Sequence, residues 1–543
     1  LNTTVESLQA RLTICGTKGA AKAPICWNGS PYQPIPVAKD VSTDTMVRIM
    51  ERSIEFPGVT AEVQSVRQIP EPLGVNLAHV LGYLGPVNDE ELATRKGTDQ
   101  ELQRTDLIGR AGVEAYYDDV LRGKPGVTTL AIDRTMAILG TVNKTEPEPG
   151  SYLVLTIDAG LQSVVEKELA TAVMRVRAAG HPGDGAAAVV VDVTNGDILA
   201  MASYPTYDPA VWLNGISTKQ YKSLTSKYSN QPLVMRAVQG QYVPASTFKA
   251  ITTLAAAKAG FALSSGTYPC PASIQIGNRE MRNHESHAAG NISLKRAIEI
   301  SCNTVFYGIG YKMWLQDGGL SPKENAKDPI ETMAKALGLG SKTGIDLPSE
   351  TSGHVGGRAF KIAQYSKMKD IWCYRADIGY PEVAKKDYAR AAYLKQIAQE
   401  NCVDGDKYRG GDAANLAIGQ GDTTVTPLQM AMAYAAVANN GTVWVPHLAK
   451  AIVSPDGKTV TRVKPEVKSK IKLPKSTFSF LRNALQGVVD NGTARGVFAG
   501  WPQRSLPIAG KTGTGQASGN KDDTAWFASF APANKPKYAV VVM

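Results

Sequence analysis

Apolar and polar positions follow different rules on the two sides of Glu146-Pro-Glu-Pro-Gly150, a short, rigid, polar break. Before it the pattern is mixed. Ala61–Gln68 predicts a strand, Asn76–Leu84 a short helix and Val127–Leu139 one or two strands. In Gly112–Leu121 the apolar Val113, Tyr116, Tyr117, Val120 and Leu121 recur at helical spacing. No acidic pair or phosphate loop stands out in residues 1–150, which read as a scaffold or docking module. After the break Tyr152–Ile157 predicts a strand. Asp158 predicts the N-cap of an amphipathic helix that begins with Leu161, Val164, Val165, Glu168 and Leu169. Two apolar runs, Gly185–Val193 and Asp197–Ser203, flank Thr194-Asn195-Gly196, a strong hairpin signal. Helix-rich sequence runs from Pro244 to about Gly340. Thr426-Pro427-Leu428-Gln429 opens a helix with a Thr cap, Pro at the first position and Gln at the third, and Asn440-Gly441 closes it. Strands return at Leu506–Gly510, Thr524–Phe530 and Tyr538–Val542. Strands at both ends with helices between predict an α/β sandwich in residues 151–543, its sheet pairing the two ends of the domain. There is no short-period repeat.

Composition narrows the class. The 543 residues allow three or four domains, or fewer if one is large, and 43% hydrophobic against 20% charged residues supply ample core. With 51 Gly and 31 Pro the chain is neither collagen-like nor of low complexity. The net charge of +10 is a mild basic excess with no Lys/Arg run of five or more, so nucleic acid is not favoured. An anionic polymer, a carboxylate-bearing substrate or a membrane surface suits it. No stretch approaches the ~18 apolar residues of a spanning helix. The start at Leu1 and the end in an interrupted apolar run, Tyr538–Met543, are read as those of a fragment lacking both natural termini.

None of the six cysteines forms a C-x-x-C pair, so zinc and thioredoxin-like readings lack support. Cys15 and Cys26 bracket a Gly/Ala/Pro-rich loop, and Cys373 and Cys402 a basic, Tyr-rich insertion. Either pair suits a disulfide, and all could equally be small buried residues. Cys302 is expected to be a free, buried thiol. His284-Glu285-Ser286-His287 lacks metal-helix spacing and predicts a turn.

Three short patterns could carry chemistry. In Ser246-Thr247-Phe248-Lys249, apolar Phe248, Ile251 and Leu254 and the upstream Pro244 place Ser246 in a helix's first turn. Lys249 then falls on the same face one turn on, where a desolvated amine can serve as base to a serine nucleophile. Ser366…Lys369, Ser469…Lys472 and Ser518…Lys521 share the spacing without that apolar context. Ser301-Cys302-Asn303 offers a hydroxyl and an amide among apolar Ile298, Ile300, Val305 and Phe306, where polar groups need partners that a cleft supplies. A helix cap is the plainer reading, and Ser518-Gly519-Asn520 repeats the pattern. In Lys511-Thr512-Gly513-Thr514 a cation and two hydroxyls could hold a carboxylate, and Gly513 would permit close backbone approach. Lys342-Thr343-Gly344 is its decoy, a loop expected to lead into a short strand at Ile345–Pro348.

Each pattern alone is more often structural than catalytic. Their order changes that: S-x-x-K, S-x-N 55 residues on and K-T-G 210 further is the set shared by penicillin-binding proteins and serine β-lactamases. Here the chain resembles a class B penicillin-binding protein. The likeness extends to Asp192–Pro209, to Tyr242–Lys249 with Ala245 where Gly is common, and to Ile418–Gly421 and Thr426–Met430. Phe56–Val59, His79–Gly85 and Gly109–Gly123 resemble the family's pedestal. Together with the long segment between Leu347–Glu350 and Gly419 they look most like the elongation-type, penicillin-binding protein 2 branch. The family's R-G-x-I-x-D-R-N-G opening motif, its membrane anchor and its final helix have no counterpart in the sequence.

The resemblance implies a non-catalytic pedestal of dimerisation type over residues 1–150. Residues 151–543 would be a transpeptidase domain, an antiparallel sheet sandwiched by helices as in serine β-lactamases. A D,D-transpeptidase joining cell-wall peptide stems is expected. The preface argues against a β-lactamase and its pedestal motifs against a non-turnover β-lactam sensor, while a D,D-carboxypeptidase stays as an alternative. Residues 1–150 are too short for a glycosyltransferase. By resemblance, Ser246 attacks the bond between two D-Ala residues, Lys249 takes its proton, and the Ser246 and Thr514 N–H groups form the oxyanion hole. Ser301 relays the proton, Asn303 holds the donor amide, and Lys511, Thr512, Gly513 and Thr514 bind the terminal carboxylate. No metal or cofactor is implied. The implied partners are peptidoglycan stems, β-lactams bound covalently, a SEDS-type glycosyltransferase and the elongation or division machinery. The implied place is the outer face of the bacterial cytoplasmic membrane, through an anchor outside this chain.

Overall fold

The computed structural model describes residues 4–21, 25–38, 41–61, 68–98, 100–213, 215–261, 263–516 and 523–543. The strand expected at Ala61–Gln68 lies, apart from its two end residues, outside the described residues, as do Ser518–Asn520 and Lys521.

A five-stranded antiparallel sheet frames the C-terminal part of the chain. Ala186–Asp192 and Ile198–Tyr204 form the expected hairpin, with Gly196 of its turn at φ +86°, a conformation glycine adopts freely. Tyr538–Val542 pairs with Ala186–Asp192, placing Val540 opposite Val190, and on its other edge with Thr524–Ala531, which pairs in turn with Ala509–Gly515. The last three strands thus complete the sheet begun by the first hairpin, and Ala509–Gly515 is its edge.

Alternation along Ala186–Asp192 serves two layers. Ala187, Val189 and Val191 enter the main core, while Ala186 and Ala188 meet Leu169 and Val173 of the helix Ala159–Ala178. Asp158 caps that helix as predicted, accepting from the Leu161 N–H at 2.9 Å. At the centre lies Pro427–Ala438, whose 12 residues are all buried, as an all-round apolar helix must be. Its capping box is formed: Thr426 Oγ1 accepts from Gln429 N and Gln429 Oε1 from Thr426 N. The helix Lys475–Asp490 packs on the edge strand.

Several expectations shift. The strand expected at Leu506–Gly510 starts at Ala509 and carries Lys511–Thr514 within it, because pairing with Thr524–Ala531 overrides the weak strand propensity of Gly and Lys. No strand forms at Ile345–Pro348. The helix expected at Asn76–Leu84 contracts to Ala78–Leu81, and Leu84–Pro86 pairs with Leu107–Gly109. Gly112–Leu121 divides into two short helices. The turn at His284–Ser286 is present. Cys15–Cys26 and Cys373–Cys402 are disulfides, the latter tying the helices Arg358–Ile378 and Tyr388–Asp404.

The expected free Cys302 thiol is wrong: Cys302 is bonded to Cys270. Pairing of Thr267–Cys270 with Gly290–Ser293 brings Cys270 beneath the S-x-N segment. Cys302 is bonded to Cys270 while Ser301 Oγ and Asn303 Oδ1 accept from Lys249 Nζ, so the bridge coexists with both polar contacts.

The N-terminal part grips the C-terminal part at two places. Glu166 accepts from the N–H groups of Asn76 and Leu77 at 2.8 and 3.0 Å, and Tyr83 stacks on Trp212 with ring centroids 3.7 Å apart. Separately, the Tyr117 hydroxyl donates to Asp346, whose carboxylate also accepts from Leu448 N and Ala449 N. No helix among the described residues is long and apolar enough to cross a membrane.

Candidate active site

Ser246 lies in a 3₁₀ turn, Ala245–Phe248, that runs into the helix Lys249–Lys258, one turn earlier than an α-helical first turn would place it. The turn is held from three sides. Ala245 N donates to Gly419 O at 2.9 Å, the Tyr434 hydroxyl of the central helix donates to Thr247 O at 2.9 Å, and Trp526 Nε1 donates to Val243 O at 3.0 Å. Ala245 adopts φ +49°, the left-handed region that glycine favours, and a non-glycine residue there costs ~1–3 kcal/mol. Gly419 is obligatory beside it: a Cβ would come within 2.4 Å of Ala245 O.

Lys249 is fully buried at the base of this turn. Its Nζ donates to Ser301 O at 2.7 Å, Ser301 Oγ at 3.0 Å and Asn303 Oδ1 at 2.7 Å, using all three ammonium protons. Burial first, and then the charge of Lys511, push its pKa well below the ordinary lysine value. Ser301, at φ +59°, is the bend that turns both its hydroxyl and its carbonyl toward the lysine. Asn303 begins the helix Asn303–Gln316.

The third pattern arrives on the edge strand. Lys511 is fully buried, and burial lowers its pKa to about 7. Gly513 sits against the Ser246 turn, where a Cβ would stand 3.2 Å from Pro244 O, so the close approach it permits is to Ser246's own segment. Thr512 and Thr514 alternate with these buried positions. Thr512 Oγ1 is 2.6 Å from Thr493 Oγ1, and Thr514 O accepts from Gln420 Nε2 at 3.2 Å. As an edge strand, Ala509–Gly515 leaves one side of its backbone unpaired by the sheet, a template for an extended peptide.

The fold therefore brings the Ser246 turn, Lys249, Ser301, Asn303 and the Lys511–Thr514 strand together, and sets the decoys aside. Ser366 and Lys369 are exposed on a helix. Thr343 and Gly344 are clamped by Glu350, which accepts from both backbone N–H groups. Tyr434, Thr493 and Asn283 were not picked out from the sequence, and Gly419 only as part of the Ile418–Gly421 likeness, without its contact to Ala245. Their signal is long-range: each acts on a partner more than 15 positions away.

The arrangement is a serine near two buried amines and the edge strand of the sheet, suited to acyl transfer. The penicillin-binding protein transpeptidase domain model matches residues 186–543, and the penicillin-binding protein dimerisation domain model residues 2–155. The chain is 31% identical over 526 residues to peptidoglycan D,D-transpeptidase MrdA of Acinetobacter baumannii, covering 94% of this chain and 67% of that protein. Pseudomonas aeruginosa PBP2, solved in complex with WCK 5153, is similar with a TM-score of 0.63 and 30% identity over 88% of each chain. A chain in a structure described as a peptidoglycan synthase complex coordinating polymerisation and crosslinking matches with a TM-score of 0.64 and 29% identity, over 86% of this chain and 70% of that one. With both domain models in tandem and the three motifs brought side by side, the chain belongs to the penicillin-binding protein transpeptidase family.

Proposed function

We propose that Ser246 is the nucleophile and Lys249 its base in a two-step acyl transfer. The chain is a serine-type D,D-transpeptidase that cross-links peptidoglycan and a target of β-lactams. In the first step the Ser246 hydroxyl loses its proton to neutral Lys249 and attacks the carbonyl joining two D-Ala residues. An ester forms, the amide bond breaks, and the terminal D-Ala leaves as an amine protonated through Ser301. In the second step an amine from another stem attacks the ester and restores Ser246. The Ser246 and Thr514 N–H groups meet the developing oxyanion. Asn303 holds the donor amide, and Lys511, Thr512 and Thr514 take the terminal carboxylate, with Gly513 keeping the strand close to the serine.

The observation that carries this reading is Lys249, buried and bonded to both polar members of the S-x-N pattern. Exchange of a labelled D-amino acid into the last position of a pentapeptide stem is its direct test. Incorporation that penicillin blocks is expected, and release of D-Ala with no incorporation at any amine concentration would instead mark a carboxypeptidase.

Residues 1–150 serve as the non-catalytic pedestal and 151–543 as the transpeptidase domain, working at the outer face of the bacterial cytoplasmic membrane. The pedestal docks a SEDS-type glycosyltransferase and the elongation machinery, a reading supported by the similarity to the solved synthase complex.

A pH dependence follows from Lys511. Its ammonium form binds a carboxylate, and its protonated share falls as pH rises through about 7. A carboxylate ligand is therefore held best below that pH, and above it binding must take up a proton. The affinity of Ser246→Ala protein for an intact β-lactam should fall by up to ~10-fold per pH unit above 7. Calorimetry in buffers of different ionisation enthalpy would show the proton uptake. An affinity constant from pH 6 to 9 would contradict the role given to Lys511.

A further inference from the structure

The helix Asn303–Gln316 starts without the side-chain cap its first N–H groups need. Its N-cap residue is Cys302, whose sulfur is bonded to Cys270 and makes no capping hydrogen bond to the first N–H groups. The acceptor comes instead from 20 residues upstream. Asn283 Oδ1 accepts from Asn303 N at 2.7 Å and from Thr304 N at 3.0 Å. Its Nδ2 donates to Pro271 O and His287 O, both at 2.8 Å, so the carboxamide is anchored to the strand end bearing Cys270 and to its own turn. Asn283 is itself buried, 9% exposed, and its hydrogen bonds go to neither Lys249 nor Ser246. One carboxamide thus fixes the backbone from which Asn303 reaches Lys249, while the disulfide fixes the residue between Ser301 and Asn303.

We infer that Asn283 is a positioning residue for acyl transfer, a remote N-cap that aims Asn303, and with it the hydrogen-bond cradle of Lys249, into the cleft. The inference rests on the assignment of Ser246 and Lys249 made above. Its logic is distance: a catalytic contact displaced by about 1 Å can lose ~10²-fold in rate. Without the Oδ1 acceptor, Asn303 N and Thr304 N lie near an apolar interior with no partner, and the helix start must move to find one.

Two variants test this in the full chain, each scored by the rate constant of acylation with a fluorescent penicillin from pH 5 to 9. Asn283→Ala removes both functions of the carboxamide. Acylation ~10²-fold slower is expected, with the acid limb moved to lower pH, since an ammonium that loses its Asn303 acceptor is easier to deprotonate. Asn283→Asp keeps the acceptor and adds a negative charge near Lys249, so most of the rate should return and the acid limb should move to higher pH. The charged groups around Asn283 are His284, Glu285 and His287 of its turn and Arg282 of the preceding strand, with Lys511 facing Lys249. These are the same in both variants, so the opposed shifts report Asn283. A merely structural role would lower the acylatable fraction and the melting temperature, leaving the surviving protein with the parent rate constant and acid limb. That result overturns the inference. Should Asn283→Ala not fold, the Asp variant decides alone: a limb unmoved from the parent's overturns it. Mapping the adduct on the parent protein separates the two levels, because a parent labelled elsewhere than Ser246 refutes the nucleophile assignment, not the capping geometry.

Discussion

Alanine at position 246 is expected to abolish covalent labelling by penicillin while leaving the fold and reversible binding in place. The serine side chain is only half-buried in a turn whose backbone is held by Gly419, Tyr434 and Trp526, none of which touches its hydroxyl. Loss of that oxygen removes the atom that forms the ester and nothing that supports the turn. Removal of a serine nucleophile typically costs ~10⁶-fold in acyl transfer. Intact mass after incubation with penicillin should show the mass of the unmodified variant, and of parent plus one β-lactam for the parent, with the adduct mapped to the peptide containing Ser246. An adduct on Ser301 in either protein would sink the assignment.

The second large effect separates the two buried lysines. Lys249 must be neutral for part of the time, and both burial and the nearby Lys511 charge favour that state. Arginine cannot release its proton in this range, and its longer planar head does not fit the three acceptors that Ser301 and Asn303 present. Lys249→Arg should lose ~10²–10⁴-fold in acylation rate, the usual contribution of a general base. Lys511→Arg retains a cation beside the carboxylate site and loses only geometry, so acylation should be weakened yet measurable. Rapid-mixing fluorescence with a reporter penicillin compares the two directly. If Lys249→Arg labels at near the parent rate while Lys511→Arg is inert, the roles are reversed.

Local chemistry made much of this architecture readable. The Asn-Gly turn between two apolar runs is a complete hairpin instruction, and the Thr426–Gln429 box with its proline needs no partner elsewhere. Ser246, Lys249, Ser301, Asn303 and Lys511 were visible as ordered motifs, although spacing alone could not tell them from Ser366…Lys369. What sequence could not supply was juxtaposition. Cys270 and Cys302 are separated by 32 positions and meet only because Thr267–Cys270 pairs with Gly290–Ser293. The strand expected at Leu506–Gly510 extends through Lys511–Thr514 only because its partner strand Thr524–Ala531 is present. Asn283 was hidden for the same reason: it sits in a run of His and Glu, and its role depends on a helix that begins 20 residues later.

The Tyr117–Asp346 contact has a mechanical meaning. Asp346 ties the pedestal phenol and the backbone of Leu448 and Ala449 to a single buried carboxylate, and Leu448 O in turn accepts from Thr156 N. With the Glu166 clasp on Asn76 and Leu77 it makes a two-point joint on the side of the catalytic half that carries the β-strand Tyr152–Leu155 and the helix Ala159–Ala178. A load applied to the N-terminal part reaches the rest of the chain through contacts such as these, neither of which involves Ser246 or the Lys511–Thr514 strand. Two separated points also resist twist, where one would act as a pivot. The serine can then stay registered against its edge strand while the N-terminal part bears the tension.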